Sequence, residues 1–161
     1  MGRHTYAAGA AVTTVAVLFA GTGAAQASDH RARVPSEREI RELFDRWNAA
    51  LGTLDANRVA DLYAPDAVLL PTVSAEIRKT RAARIDYFKH FLENKPVGRI
   101  QERVINILNR NSAIDTGLYQ FTLTDKHGHR SKVDARYTFV YKKRDGRWLI
   151  INHHSSKVPT E

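Results

Sequence analysis

A chain of 161 residues has room for one domain of ordinary size and not two. Its composition, 43% hydrophobic and 26% charged, supplies a real core and excludes a largely disordered protein. The absence of cysteine excludes disulfides, thiol catalysis, cysteine-ligated zinc and a lipidated cysteine anchor, while a formal net charge of +8 raises the question of nucleic acid.

After Arg3 the next formally charged residue is Asp29. Between them Val12, Val15, Val17, Leu18 and Phe19 form a modest apolar stretch, followed by Ala25-Gln26-Ala27, the small-x-small pattern of a signal peptidase site. Residues 1–27 therefore read as a cleaved signal peptide cut near Ala27-Ser28, with a secreted, extracytoplasmic product that has no membrane contact after cleavage. The rival reading is a retained membrane helix, which needs about 20 strongly apolar residues; threonine and glycine dilute this run. Residues 28–35 are a polar linker, and residues 36–159 a single domain. Removing Arg3 from the 25 Lys+Arg leaves 24 against 17 Asp+Glu. These cations are scattered, with no block longer than Lys142-Lys143-Arg144, so they read as a solvated basic surface and not as a nucleic-acid site.

Ser36 and Glu39 form a capping box, followed by Ile40, Leu43, Phe44, Trp47 and Leu51 at helical spacing, with Gly52 closing the helix. Asp55 caps a second, shorter helix carrying Val59, Leu62 and Tyr63 and stopped by Pro65. Ala67–Leu70 is a brief strand. Thr80 opens a third helix, on which Ile85, Phe88 and Leu92 share a face, and Asn94-Lys95-Pro96 ends it.

After residue 98 the apolar period changes to two. Residues 100–108, 117–124, 131–141 and 147–156 read as four strands, joined by Asn109-Arg110-Asn111, Lys126-His127-Gly128-His129 and Arg144-Asp145-Gly146. Helices first and a meander afterwards predict an α+β domain, three N-terminal helices on a curved antiparallel sheet.

The register of the last hairpin decides which side chains share a pocket. A three-residue loop pairs Lys143 with Arg147 and puts Tyr137, Phe139, Tyr141, His153 and Ser155 on one face, with Arg136, Trp148, Ile150 and His154 on the other. A two-residue Asp-Gly turn instead groups Trp148, Ile150 and His154 with the tyrosines; the residues alone leave both open. Either way the last strand is apolar on both faces, which predicts a second subunit over one of them.

The stretch Trp47-Asn48 through Tyr63-Ala64-Pro65-Asp66-Ala67-Val68-Leu69-Leu70-Pro71, the pair Tyr87-Phe88, and the ending Arg144-Asp145-Gly146-Arg147-Trp148 through Asn152-His153-His154-Ser155-Ser156 resemble the calcium/calmodulin-dependent protein kinase II association (hub) domain family, bacterial stand-alone type. That family lies within the nuclear-transport-factor-2-like superfamily, with SnoaL-like cyclases and ketosteroid isomerases. The resemblance implies a cone-shaped domain with a strongly curved sheet, a pocket between helices and sheet, and a homodimer or larger ring. Kinase motifs are absent from the sequence. Pocket arginines of the hub align with Phe139 and Ser155, which supports the three-residue loop but removes the hub's anion-binding groups. A histidine of the hub's third helix aligns with Arg84, the expected counter-charge for an acidic ligand.

The ligand pocket expected from these readings is Arg84, Tyr87, Tyr119, Phe121, Tyr137, Phe139, His153 and Ser155, and the subunit contact Arg136, Trp148, Ile150 and His154. His153 and His154 are adjacent on a strand, point to opposite faces and cannot chelate one metal together. His127 and His129 flank a solvated turn. No metal site or cofactor is expected. Asp61, Asp66, Asp86 and Asp115 are expected on helix surfaces or turns and Asp134 outside, which leaves no interior carboxylate for acid–base work. Two functions remain: a non-catalytic oligomeric module binding a small acidic or aromatic ligand, or an isomerase, dehydratase or cyclase using His153 with Tyr119 or Tyr137.

Overall fold

In the computed structural model the described residues are 1–2 and 33–159. The expected signal peptide thus falls, beyond its first two residues, outside the described residues. Helix α1 spans Glu37–Gly52. Its N-terminus is the expected capping box: the Ser36 hydroxyl accepts from the Glu39 amide, and the Glu39 carboxylate accepts from the Ser36 amide at 2.8 Å. Ile40, Leu43, Phe44, Trp47 and Leu51 are buried along one stripe. Helix α2 is a single short piece, Ala56–Ala60, capped by the Asp55 side chain, and α3 spans Arg81–Leu92, capped by Thr80.

The strands are β1 (Tyr63–Leu70), β2 (Val97–Asn109), β3 (Ser112–Thr124), β4 (Arg130–Arg144) and β5 (Arg147–Lys157), in the order β1-β5-β4-β3-β2. β2 to β5 are the expected antiparallel meander, but β1 lies parallel to β5 and makes the sheet mixed. Tyr63 and Pro65, expected at the end of the second helix, belong to β1. Pairing with β5 lapses between Tyr63 and Val68, so Pro65, which has no N–H to donate, sits where no ladder bond is needed.

The last hairpin corrects the expected register. Asp145 and Gly146 both have positive φ, 50° and 77°, the two-residue turn that matches strand twist, so Arg144 faces Arg147 and Lys143 faces Trp148. A bulge then restores the other parity: Tyr141 pairs with Ile150, but Val140 pairs with Asn152 and Phe139 with His153. Ile150 is therefore a buried core residue and Trp148 packs half-buried against the same core, so neither lies on the outer face with Arg136 and His154. His153 and Ser155 still face inward beside Phe139 and Tyr137.

A second correction concerns β3. It begins at Ser112, earlier than expected, and Asp115 is wholly buried instead of lying in a turn. Tyr137 donates to its Oδ1 at 2.9 Å and Arg103 Nε reaches the same oxygen at 3.2 Å. Burial raises the Asp115 carboxyl above its usual range, against the pull of Arg103 and Tyr137. Across the sheet, a Cβ on Gly117 would collide with the Glu102 carbonyl beside the β2 bulge, so only glycine allows the two strands to close there.

Candidate functional site

Between α1, α3 and the inner face of the sheet lies a cavity of about 550 Å³. The secondary structure dictates its wall. Tyr87, Phe88 and Phe91 come from the inward face of α3, Trp47 from α1, and Tyr119, Phe121 and Leu123 from alternate positions of β3. Phe91 meets Phe121 edge-on with centroids 5.5 Å apart, and Tyr87 stacks on Phe91 at 5.7 Å. Its outer lining is polar, including His90, Asn94, Asp125, His129 and Arg130, together with Arg78 from the loop before α3.

Two polar groups interrupt the aromatic wall. His153 is 3% exposed; Phe139 lies flat against its ring at 3.9 Å, and the Tyr63 hydroxyl is 2.9 Å from its Nδ1. The Trp47 indole N–H donates to that same hydroxyl at 3.0 Å, while Nε2 of His153 has no partner. Burial, with a small contribution from His154, lowers the imidazole's pKa to about 3, so His153 is neutral at ordinary pH. Two residues on, Ser155 accepts from the Tyr119 hydroxyl at 2.5 Å and shares a short hydrogen bond with Thr72. Burial pushes the Tyr119 hydroxyl well above its ordinary range, which keeps it protonated.

Of the expected pocket residues, Tyr87, Tyr119, Phe121, His153 and Ser155 line this cavity. Arg84 does not. It is fully buried on the side of α3 that faces β1, where its guanidinium donates to the carbonyls of Ala67, Ala64 and Pro65 at 2.6, 2.9 and 3.2 Å. Tyr137 and Phe139 stand behind the wall, one bonded to Asp115 and the other packed between Phe44, Trp47 and His153. Arg136 and His154 are exposed on the outer face, beside a shallow groove that includes Val104, Leu118 and Thr138. Thr72 and Arg78 line the cavity without having been expected: both lie in the irregular segment between β1 and α3, where no periodicity signals a facing. Among the described residues, no group of three His, Asp or Glu side chains is placed to hold a metal ion.

The family described as calcium/calmodulin dependent protein kinase II association domain matches residues 36–159. No curated protein matches the chain. Among solved structures, one from Xanthomonas campestris, described as a domain of that same kind, is 57% identical over 81% of this chain and 96% of its own, with a TM-score of 0.77. The association domain of the C. elegans kinase is 13% identical, over 75% and 95% of the two chains, at a TM-score of 0.62. An NTF2-like protein from Pseudomonas putida is 21% identical, over 78% and 87%, at 0.63. The last two likenesses speak for the fold alone.

Proposed function

The chain belongs to the calcium/calmodulin dependent protein kinase II association domain family, and we propose that within it this protein is a non-catalytic, self-associating module that acts outside the cytoplasm and binds a small ligand in its cone. The ligand is a largely apolar, preferably aromatic, molecule with an acidic group left at the polar mouth. The observation that carries this reading is the aromatic-walled cavity of about 550 Å³, a volume typical of small-molecule sites, with an unpartnered buried imidazole edge in its wall. At the mouth, Arg130 has no ion pair among the described residues, whereas Arg78 is already held by Glu76 and Asp86.

Catalysis is disfavoured by the chemistry of the lining. His153 is too weak a base, and the interior carboxylate Asp115 is engaged by Arg103 and Tyr137, away from the cavity. Asp125 at the mouth is held acidic: its burial, which raises the pKa, is outweighed by hydrogen bonds from the His129 and His127 amides.

Self-association is supported by the outer face of the sheet. Ile114, Leu118, Val140 and Leu149 form an apolar band there that no helix covers, with Val104 beside it 52% exposed. Light scattering over a range of concentrations tests this half of the reading, together with Leu118→Glu; a monomer at all concentrations ends it. Thermal stabilisation by aromatic carboxylates tests the other half. A series of naphthoates and phenylalkanoates that leaves the melting temperature unmoved, and that yields no turnover, ends the ligand reading.

A further inference from the structure

Two rows of side chains on the outer face of the sheet carry charges in opposite order. Through the ladders, Glu102 of β2 stands beside Leu118 of β3, and Leu118 beside Arg136 of β4. One row along, Arg99 stands beside Gln120 and Gln120 beside Asp134. Arg99 and Glu102 are three residues apart, and they share a face because the β2 bulge between Ile100 and Glu102 resets the strand's parity. All four charged side chains are exposed, and among the described residues none of them is in an ion pair. An uncharged side chain of β3 stands between the two charges of each row, so opposite charges do not meet within one chain.

A second copy completes this pattern. Sheets packed face to face in the aligned manner lie about 10 Å apart, a gap that an extended glutamate and an extended arginine span together. A closed two-fold dimer brings the same patch of both subunits together. An axis running along β3, between the sheets, sets β2 of one copy against β4 of the other. Glu102 then lies opposite the partner's Arg136, Arg99 lies opposite the partner's Asp134, and both pairs recur by symmetry. Asp134 accepts from the Gln120 side-chain amide at 2.8 Å through Oδ1 only, which leaves Oδ2 for the partner's Arg99. On the axis itself Ile114 and Leu118 of β3 meet their own copies, so the apolar band is buried at the centre with charge pairs beside it. The other axis that keeps the strands aligned crosses β3 at Leu118. It would set Glu102 against the partner's Glu102 and Arg136 against the partner's Arg136, like charges at close approach.

We propose that the outer face is a two-fold interface between two copies of this chain, with its axis along β3 and reciprocal Glu102–Arg136 and Arg99–Asp134 ion pairs. The proposal rests on the self-association reading above and gives it a geometry.

Charge exchange between two variants of the purified protein tests it. Glu102→Arg and Arg136→Glu each turn two attractions into two repulsions. Each variant alone should therefore dimerise at least about a hundredfold more weakly than the parent, read by light scattering over a range of concentrations. Both positions are exposed, so neither variant should lose the parent's circular dichroism spectrum. Mixed in equal amounts, the two should form a heterodimer of near-parental affinity, identified by its mass in native mass spectrometry, because every introduced charge then meets its opposite. Arg99→Asp mixed with Asp134→Arg repeats the exchange at the second row. Variants that dimerise as the parent does, or that weaken without recovering on mixing, overturn the proposed axis and leave the self-association reading standing. A parent that stays monomeric at every concentration refutes the self-association reading, and this proposal with it.

Discussion

Replacing Arg84 by leucine should cost stability and not merely ligand affinity. The β1–β5 ladder breaks between Tyr63 and Val68, and within that gap the carbonyls of Ala64, Pro65 and Ala67 turn to the Arg84 guanidinium. The guanidinium thus completes the sheet edge where the ladder is missing, with its carbon 5.6 Å from the centre of the Tyr63 ring. A hydrogen bond to a charged group contributes about 1.5–3 kcal/mol, so three of them set an upper range of about 5–9 kcal/mol. Relief from burying a charge offsets part of this, which brings the expected loss for Arg84→Leu to about 3–5 kcal/mol. For a domain of this size 1 kcal/mol corresponds to about 4 °C, so the melting temperature should fall by about 12–20 °C. Arg84→Lys should fall in between, because one ammonium cannot replace a planar fork spanning three carbonyls. Melting followed by circular dichroism decides. If Arg84→Leu melts within about 2 °C of the parent yet no longer binds aromatic carboxylates, then Arg84 is a ligand group and the assignment to β1 is wrong.

Acid should destabilise the fold through His153. Its folded pKa, about 3, lies below the unfolded value near 6.5, so the unfolded chain binds the extra proton and stability falls as pH drops through that window. Urea unfolding should show the parent losing about 3 kcal/mol between pH 7 and pH 4 relative to His153→Gln; the comparison cancels Asp115, whose raised pKa acts in the opposite direction, with its stabilising share lost as pH rises. Identical pH profiles for the two proteins would show that the imidazole is not buried in its neutral form. Removing one partner of the Arg103–Asp115 pair should be worse than removing both: Asp115→Leu should cost about 3–5 kcal/mol and Arg103→Met/Asp115→Leu clearly less, and additive losses in denaturant titrations would contradict the burial of this pair. Asn48→Ala should cost about 1–3 kcal/mol by the same assay, since its amide both donates to the Gly98 carbonyl and accepts from the Gly98 amide at 2.9 Å, tying α1 to the start of β2; no loss would mean that water replaces it freely.

The helices were legible because their signals are local. A serine followed three residues later by glutamate, an aspartate and a threonine each before a helical run, and apolar spacing of three and four all act within one or two turns of chain. β1 was misread in part because its signal is not local. Tyr63 and Pro65 look like the end of a helix unless a parallel partner about 85 residues away is known, and only that partner's broken ladder makes room for the proline. Arg84 was drawn into the pocket by alignment with a family residue, whereas it shares a face of α3 with Phe88 and Phe91 but lies one turn nearer the N-terminus, where that face meets β1 and not the cavity.

Asp115 and the last hairpin mark the boundary between what a period can reveal and what it cannot. Extending the β3 alternation back from Phe121 and Tyr119 through Gly117 lands on Asp115 and Ala113, both wholly buried, so the interior carboxylate was implicit in the pattern and was lost by starting the strand too late. In the hairpin the turn residues correctly specify a two-residue loop, yet that register alone would carry His153 out of the cavity and His154 in. The bulge opposite Tyr141 and Val140 reverses the parity halfway along β5, so the strand gives Ile150 to the core near the turn and His153 to the cavity beyond it. A bulge has no period, and in β5 no glycine marks it. The facing of the two histidines therefore depends on Ile151 being the residue left out of the ladder, and deleting Ile151 should remove the bulge while keeping Asn152 opposite Val140, His153 opposite Phe139 and the Tyr63–His153 bond intact.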